Sequence, residues 1–292
     1  MLTRRGFLVA GGLGLGALAA TAYAGNGLAA DHGIDLGDEL RDALGRGSRV
    51  DEHSFASTAL GTEVTWLVIA PRGVALDGLP MALALHGRGG HAWDAVGWLK
   101  ADDALQDHAD SGGAPFAIVA VDGGDHSYYH PRSDGTDALA MLTDELLPRA
   151  ADVGLDTARI GAIGWSMGGF GALMLARESA QGRLDGTEVV AAVANGAALW
   201  TSAGLTAEGA FDDPSDFARW GDLVAHPGVG GRVPLRVDSG EDDPFAAVIR
   251  RYRAAVVPTP EGGFVPGGHD GATWRPLLPA QLAFLADHLV RT

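Results

Sequence analysis

The 292-residue sequence contains no cysteine, which excludes disulfide bonds, thiolate metal sites and a cysteine nucleophile. Basic residues are scarce: Lys100 is the only lysine, and 21 basic residues stand against 37 acidic ones, for a formal net charge of −16. Such a chain lacks the basic surface that neutralises nucleic-acid phosphates, so we expect no nucleic-acid partner. Beyond the N-terminal stretch there is no long apolar run, which predicts no stable membrane span in the mature protein.

The N-terminus combines two arginines with an uncharged stretch. Arg4 and Arg5 lie in residues 3–8 (TRRGFL), which resemble a twin-arginine export signal, and no charged residue occurs from Gly6 to Ala30. Residues 22–24 (AYA) fit an A-x-A cleavage site. We therefore predict an export signal at residues 1–24 that the twin-arginine machinery recognises, and a secreted or extracytoplasmic protein. An uncleaved membrane anchor is the alternative.

The rest of the chain alternates between short apolar runs and helical patterns. Residues 25–47 are rich in Gly, Ala and Asp and predict a linker or N-terminal arm, and residues 48–292 predict one catalytic domain in which residues 200–232 form an insertion or lid. Apolar runs that end in Gly or Asp are typical of buried parallel strands. The fold class is therefore α/β, a mostly parallel central sheet with helices on both faces. The predicted strands are 62–70, 81–85, 116–121, 159–164, 189–193 and 235–237, and the predicted helices are 136–151, 170–180, 245–255 and 277–290.

One of these strand-to-helix junctions carries a catalytic pattern. Residues 164–169 (GWSMGG) match G-x-S-x-G between a predicted strand and a predicted helix. The turn needs glycines beside the serine, because it is tight and one position takes strained dihedral angles. It raises the hydroxyl above the sheet at a helix N-terminus, where backbone N–H groups stabilise a developing anion. The pattern indicates Ser166 as a nucleophile; a glycine-rich turn without catalysis is the alternative.

A serine nucleophile needs a base, and the base needs a third group that orients it. In this arrangement the chain order is serine, then aspartate or glutamate, then histidine. His269, in the loop before the last predicted helix, is one of three histidines after Ser166, and we predict it as the base. The acid is predicted just after the strand at 235–237, where Asp242 and Asp243 are adjacent candidates.

A second glycine-rich loop supplies the expected oxyanion site. Residues 86–90 (HGRGG) follow the predicted strand 81–85 and resemble an HGGG-type loop, whose glycines let backbone N–H groups approach a substrate oxygen. We predict two oxyanion donors, the N–H of Met167 and N–H groups at Arg88. We expect His86 to hold the loop by hydrogen bonding.

No metal or cofactor is predicted. His126 and His130 stand four residues apart near two aspartates, yet they match no zinc-binding pattern.

Together these segments resemble one family. Residues 164–173 (GWSMGGFGAL) are similar to the nucleophile segment of the esterase D and mycolyltransferase (antigen 85-like) branch of α/β-hydrolases. The resemblance covers roughly residues 60–290 and implies the α/β-hydrolase fold. In esterase D-like sequences the acid lies three residues after the glycine that closes its strand, which favours Asp243. Three further segments agree with the family: 122–129 (DGGDHSYY) with its Ser-aromatic-Tyr loop, 144–148 (DELLP) with its E-L-x-P helix, and 268–275 (GHDGATWR) with its histidine loop.

The sequence thus predicts a serine esterase that hydrolyses a carboxylic ester or thioester through an acyl-enzyme. The expected partner is a small-molecule, lipid or glycan ester. Two alternatives remain: an acyltransferase that passes the acyl group to an alcohol, as the mycolyltransferase resemblance allows, and a non-catalytic binding protein on the same fold. Turnover of a p-nitrophenyl ester distinguishes the enzymes from the binding protein.

Overall fold

The computed structural model describes residues 47–290, and eight of their segments are strands of one sheet. Numbered along the chain, the strands are β1 Arg49–Ser57, β2 Thr62–Ala70, β3 Leu79–Leu85, β4 Ala117–Val121, β5 Leu155–Trp165, β6 Glu188–Asn195, β7 Leu235–Gly240 and β8 Phe264–Val265. Their order across the sheet is β1-β2-β4-β3-β5-β6-β7-β8. The β1–β2 and β2–β4 pairs are antiparallel, and all pairs from β4 to β8 are parallel.

The six strands that the sequence predicted are β2 to β7, and β3 to β7 pair with one another in parallel, whereas β2 is antiparallel to β4. All five residues of β4 and the last six of β5 are buried, as expected for strands covered on both faces. The pattern of β1 is different, because polar residues predominate in it and only Phe55 and Ser57 are buried. This edge strand and the two-residue β8 were not predicted, since neither contains an apolar run.

Helices cover both faces of the sheet. Two of them, α5 and α9, pack on the same strands β5 and β6 from opposite faces. Every residue of α5 except Ser179 is buried, which makes it the central helix of the protein. The helices are α1 Asp94–Gly97, α2 Ala101–Asp110, α3 Ala138–Ala140, α4 Leu147–Asp152, α5 Met167–Ala180, α6 Pro214–Asp216, α7 Ala246–Ala255, α8 Gly271–Trp274 and α9 Leu278–Leu289, with π-helical segments at Met141–Leu146 and Phe217–Gly221 and 3₁₀ turns at Ala203–Leu205 and Arg275–Leu277.

Residues 200–232, between β6 and β7, contain short helical pieces only, and a buried carboxylate ties them to α5. Glu178 on α5 accepts hydrogen bonds from Arg177 Nε at 3.1 Å, Arg183 Nη2 at 2.7 Å and Arg219 Nη2 at 2.9 Å. Its side chain is 2% exposed. Burial alone would raise the pKa of Glu178, but the bonds from Arg183 and Arg219 and the charge of Arg177 lower it to about 2.

This carboxylate should contribute to stability in a pH-dependent way. We expect Glu178→Gln to lower the free energy of unfolding near neutral pH by roughly 1–3 kcal/mol, between the values for exposed and buried ion pairs. The folded-state pKa of about 2 lies below the ordinary 4.5, so the contribution is complete above pH 4.5 and is lost as the pH falls through 2. Urea unfolding of the wild-type protein and of the Glu178→Gln variant at several pH values measures this contribution. A difference between the two proteins that stays constant from about pH 6 to pH 2 would contradict the prediction.

The predicted export signal (1–24) and residues 25–46 of the predicted arm lie outside the described residues. Within residues 47–290, none of the helices combines the length and hydrophobicity that crossing a membrane requires.

Candidate active site

Ser166 lies in the sharp turn between β5 and α5. Its backbone has φ 56° and ψ −116°, a conformation that costs a residue with a side chain roughly 1–3 kcal/mol. Close packing enforces this turn: a Cβ on Gly164 would lie 2.1 Å from the Gly168 carbonyl oxygen, and one on Gly168 would lie 1.8 Å from that of Leu85. The two glycines of the motif are therefore required sterically, and together they hold the serine hydroxyl at the carboxyl end of the sheet.

The structure brings His269 to this serine. His269 lies in the loop between β8 and α8, and its Nε2 is 2.9 Å from Ser166 Oγ. Its Nδ1 is 2.8 Å from Asp243 Oδ2. The Asp243 side chain is fully buried while that of His269 is 25% exposed, so the histidine stands between a buried carboxylate and the solvent-facing side of the site. A carboxylate in this position accepts the Nδ1–H and leaves Nε2 as the acceptor for the serine hydroxyl.

The two adjacent aspartates have different surroundings. Asp243 Oδ1 also accepts the backbone N–H of Phe245 at 2.7 Å, so both carboxylate oxygens of Asp243 are held. The Asp242 side chain is exposed, and its backbone N–H donates to Gly267 O at 2.9 Å. It is Asp243, therefore, that lies against the histidine.

Two aromatic rings and one glycine that were not among the predicted site residues surround His269 and Asp243. Trp274 meets the His269 ring edge-on at 4.9 Å, and Phe245 lies 5.4 Å from the same ring. Gly196 follows β6 with φ 49°, and a Cβ there would lie 2.6 Å from Asp243 Oδ2. Trp274 belongs to the histidine-loop motif, which was the available signal for it. Nothing local in the sequence marks Gly196, because the groups that need its small size come from the loops after β7 and β8.

His86 holds the loop at residues 86–90, as the sequence predicted. Its Nδ1 donates to Gly87 O at 2.7 Å, and its Nε2 accepts the N–H of Gly123 at 2.8 Å. The Tyr129 hydroxyl donates to His86 O at 3.2 Å. Burial lowers the pKa of His86, which keeps the ring neutral and able to accept from Gly123. This histidine therefore joins the loops after β3 and β4.

The predicted oxyanion donors lie on both sides of the serine. A Cβ on Gly87 would be 3.5 Å from Ser166 Cβ, so the loop that includes Arg88 approaches Ser166 directly. Met167 is the first residue of α5, where backbone N–H groups lack partners in the helix. Within residues 47–290, the N–H groups of Arg88 and Met167 form no backbone hydrogen bond, whereas the N–H of Gly89 donates to Asp125 O. The Arg88 side chain is exposed and donates to His126 Nδ1 and Glu208 O.

Residues 200–232 reach the site through an aromatic cluster formed by Tyr128, Phe170, Trp200 and Phe211. Phe211 lies within 6.0 Å of the other three rings, and Trp200 is 5.7 Å from Phe245, which contacts the histidine. His130, which the sequence analysis compared with metal ligands, is stacked on Phe211 at 5.1 Å. The segment thus packs on α5, and its first residue, Trp200, contacts the Phe245 ring that lies next to His269.

The sheet order, the strained serine between β5 and α5 and the serine–histidine–aspartate contacts define an α/β-hydrolase. The family model described as “Putative esterase” matches residues 57–285. The chain belongs to this family and is a carboxylic ester hydrolase by class, in agreement with the esterase resemblance of its sequence.

Solved structures agree on the fold. The chain is similar to a ferulic acid esterase, with 20% identity, a TM-score of 0.66 and coverage of 84% of this chain and 99% of that chain. An S-formylglutathione hydrolase from Agrobacterium tumefaciens has 17% identity and a TM-score of 0.66, with coverage of 84% and 97%. Fluorophosphonate-binding serine hydrolase F from Staphylococcus aureus has 17% identity and a TM-score of 0.63, with coverage of 82% and 99%. No significant match is found among curated proteins.

Proposed function

We propose that this chain is a secreted serine esterase that hydrolyses a carboxylic ester or thioester through Ser166, His269 and Asp243. One observation carries the proposal: a continuous chain of contacts runs from Ser166 Oγ to His269 Nε2 at 2.9 Å and from His269 Nδ1 to Asp243 Oδ2 at 2.8 Å. Nucleophile, base and orienting carboxylate within hydrogen-bond reach are what acyl transfer through serine requires.

In the first half-reaction, Ser166 Oγ attacks the substrate carbonyl carbon while His269 Nε2 takes the hydroxyl proton. Asp243 keeps the ring oriented and stabilises the imidazolium that forms. Collapse of the tetrahedral intermediate breaks the bond to the alcohol or thiol, which leaves with the proton from His269. In the second half-reaction, water gives a proton to His269 and attacks the acyl-enzyme, and the proton returns to Ser166 Oγ when the acid is released.

The negative charge on the carbonyl oxygen develops beside the backbone N–H groups of Met167 and Arg88. These donors belong to backbone that the fold holds in place, because Met167 begins the buried helix α5 and Arg88 lies in the loop that His86 hydrogen-bonds. Preorganised donors of this kind typically contribute about 3–4 kcal/mol each to transition-state stabilisation.

The substrate class is supported by the names of the similar structures. One is a ferulic acid esterase and another an S-formylglutathione hydrolase, an ester and a thioester activity respectively. Both linkages present a carbonyl carbon with an oxygen or sulfur leaving group, which the same three side chains can process.

The test is turnover of p-nitrophenyl acetate by the purified protein. The proposal predicts nitrophenol release above the buffer rate and an acyl-enzyme that carries one acetyl group on Ser166 and is heavier than the free protein by that group. Absence of both signals in the folded protein would instead favour a non-catalytic binding protein. An acyltransferase would divert most of the acyl group to an added alcohol instead of water, which product analysis measures.

Secretion rests on the arginine pair at the N-terminus. Replacing Arg4 and Arg5 with lysine keeps the charge, yet it should leave the full-length precursor in the cytoplasm, because the export receptor reads the arginines themselves. Cell fractionation in a bacterial host with twin-arginine transport measures the distribution. The matched control replaces Arg46 and Arg49, outside the predicted signal, with lysine. Normal export of the Arg4→Lys, Arg5→Lys variant would disprove this part of the proposal.

A further inference from the structure

A cavity of about 340 Å³ lies where the end of α5 meets the π-helical segment Phe217–Gly221. This volume is within the range of small-molecule sites, which begins at about 300 Å³. The described residues that line it include no carboxylate, although the whole chain carries a net charge of −16. They are Arg177, Gln181, Arg183, Ala218, Arg219 and His226.

The three guanidinium groups are held in place, and two of them, those of Arg177 and Arg219, each keep one free donor nitrogen. Glu178 accepts from Arg177, Arg183 and Arg219, and this holds all three side chains in one place. None of these bonds uses Nη1 of Arg177 or Nε of Arg219. The Arg177 side chain is 5% exposed, so its position is set by the surrounding protein.

The local charge is positive. Glu178 remains ionised, since its pKa is lowered to about 2, and it balances one of the three guanidinium charges. Asp222 Oδ2 pairs with His226 Nδ1 at 3.0 Å beside the cavity. Counted against these two carboxylates, the three arginines still leave an excess positive charge.

We propose that this cavity binds a phosphate-type oxyanion, either free or as the phosphoryl group of a larger molecule. Charge-assisted hydrogen bonds from guanidinium groups are strong with phosphate oxygens. The two donors that remain, Arg177 Nη1 and Arg219 Nε, belong to different side chains of the cavity wall. A tetrahedral dianion, whose oxygens point in several directions, suits such separate donors better than a planar carboxylate does. Because α5 has 14 residues with a rise of 1.5 Å each, the cavity lies roughly 20 Å from Ser166. The anion is therefore a second ligand and does not take part in ester cleavage.

Calorimetric titration of the purified protein with inorganic phosphate and with glycerol phosphate, at constant ionic strength, tests the proposal. We expect saturable binding of at least one of them with a Kd of about 1 mM or lower. Tighter binding of glycerol phosphate identifies a phosphoryl group on a larger molecule, and equal or tighter binding of inorganic phosphate identifies the free anion; both support the site. No saturable binding of either probe would overturn the proposal.

Variants locate the binding. Ala218→Glu places a carboxylate on the cavity wall without touching the Glu178 network, and it should weaken binding at least tenfold. The double variant Arg183→Gln, Arg219→Gln should do the same. The matched controls are Ala247→Glu and the double variant Arg49→Gln, Arg251→Gln, which make the same charge changes at exposed positions elsewhere. Equal weakening in variants and controls would show a general charge effect and refute the site. Hydrolysis of p-nitrophenyl acetate should be unchanged in all four proteins.

Discussion

Ser166→Ala is expected to lower kcat for p-nitrophenyl acetate by roughly 10⁶-fold, in line with nucleophile knockouts in serine hydrolases. The substitution removes the oxygen that His269 Nε2 contacts at 2.9 Å and leaves the base without a hydroxyl to activate. The backbone keeps its strained φ of 56°, since alanine meets the same cost there as serine, so the protein should remain folded. Steady-state kinetics together with a thermal unfolding curve separates lost chemistry from lost structure.

A fluorophosphonate probe gives an independent readout of the same residue. It should label the wild-type protein at Ser166 alone, and the Ser166→Ala protein not at all. Ser127→Ala is a suitable control, because this serine also lies near the site, where its Oγ accepts the N–H of Tyr129. Labelling at Ser127 or at the buried Ser239 would refute the assignment of the nucleophile.

Asp243→Asn is expected to lower kcat by about 10⁴-fold with the fold intact. The carboxylate Oδ2 lies 2.8 Å from His269 Nδ1 and accepts its proton. An amide at this position can donate its own N–H to Nδ1, which favours the tautomer with the proton on Nε2. That tautomer cannot accept the proton of Ser166, so the base is lost although the ring stays in place.

Asp242→Asn makes the same chemical change one residue earlier and is the matched control. Because the Asp242 side chain is exposed, we expect less than a tenfold loss of kcat. Measuring kcat of both variants on one activated ester decides the assignment. A larger loss for Asp242→Asn than for Asp243→Asn would reverse the roles of the two aspartates while leaving Ser166 and His269 as nucleophile and base.

The sequence determined the central strands and the turn in which Ser166 lies. Apolar runs such as β4 predict strands because burial on both faces leaves no place for polar residues, and Thr62–Ala70 was predicted with its observed bounds. The G-x-S-x-G pattern was sufficient to predict the turn at Ser166, since its strain and the close approach of Gly164 and Gly168 to neighbouring backbone are local requirements.

The tertiary structure decided what depends on residues distant in the chain. The residue pattern left Asp242 and Asp243 open, and the family resemblance favoured Asp243. The structure buries the Asp243 carboxylate against His269, 26 residues later in the chain, and leaves Asp242 exposed. The small size of Gly196 and the ring of Trp274 matter because separate loops meet at the carboxyl ends of the strands. The arginine-lined cavity likewise requires α5 and residues 217–226 to pack together, and such packing leaves no periodic signal in the chain. Local conformation follows from neighbouring residues, whereas contacts between distant segments follow from how the whole chain fills its core.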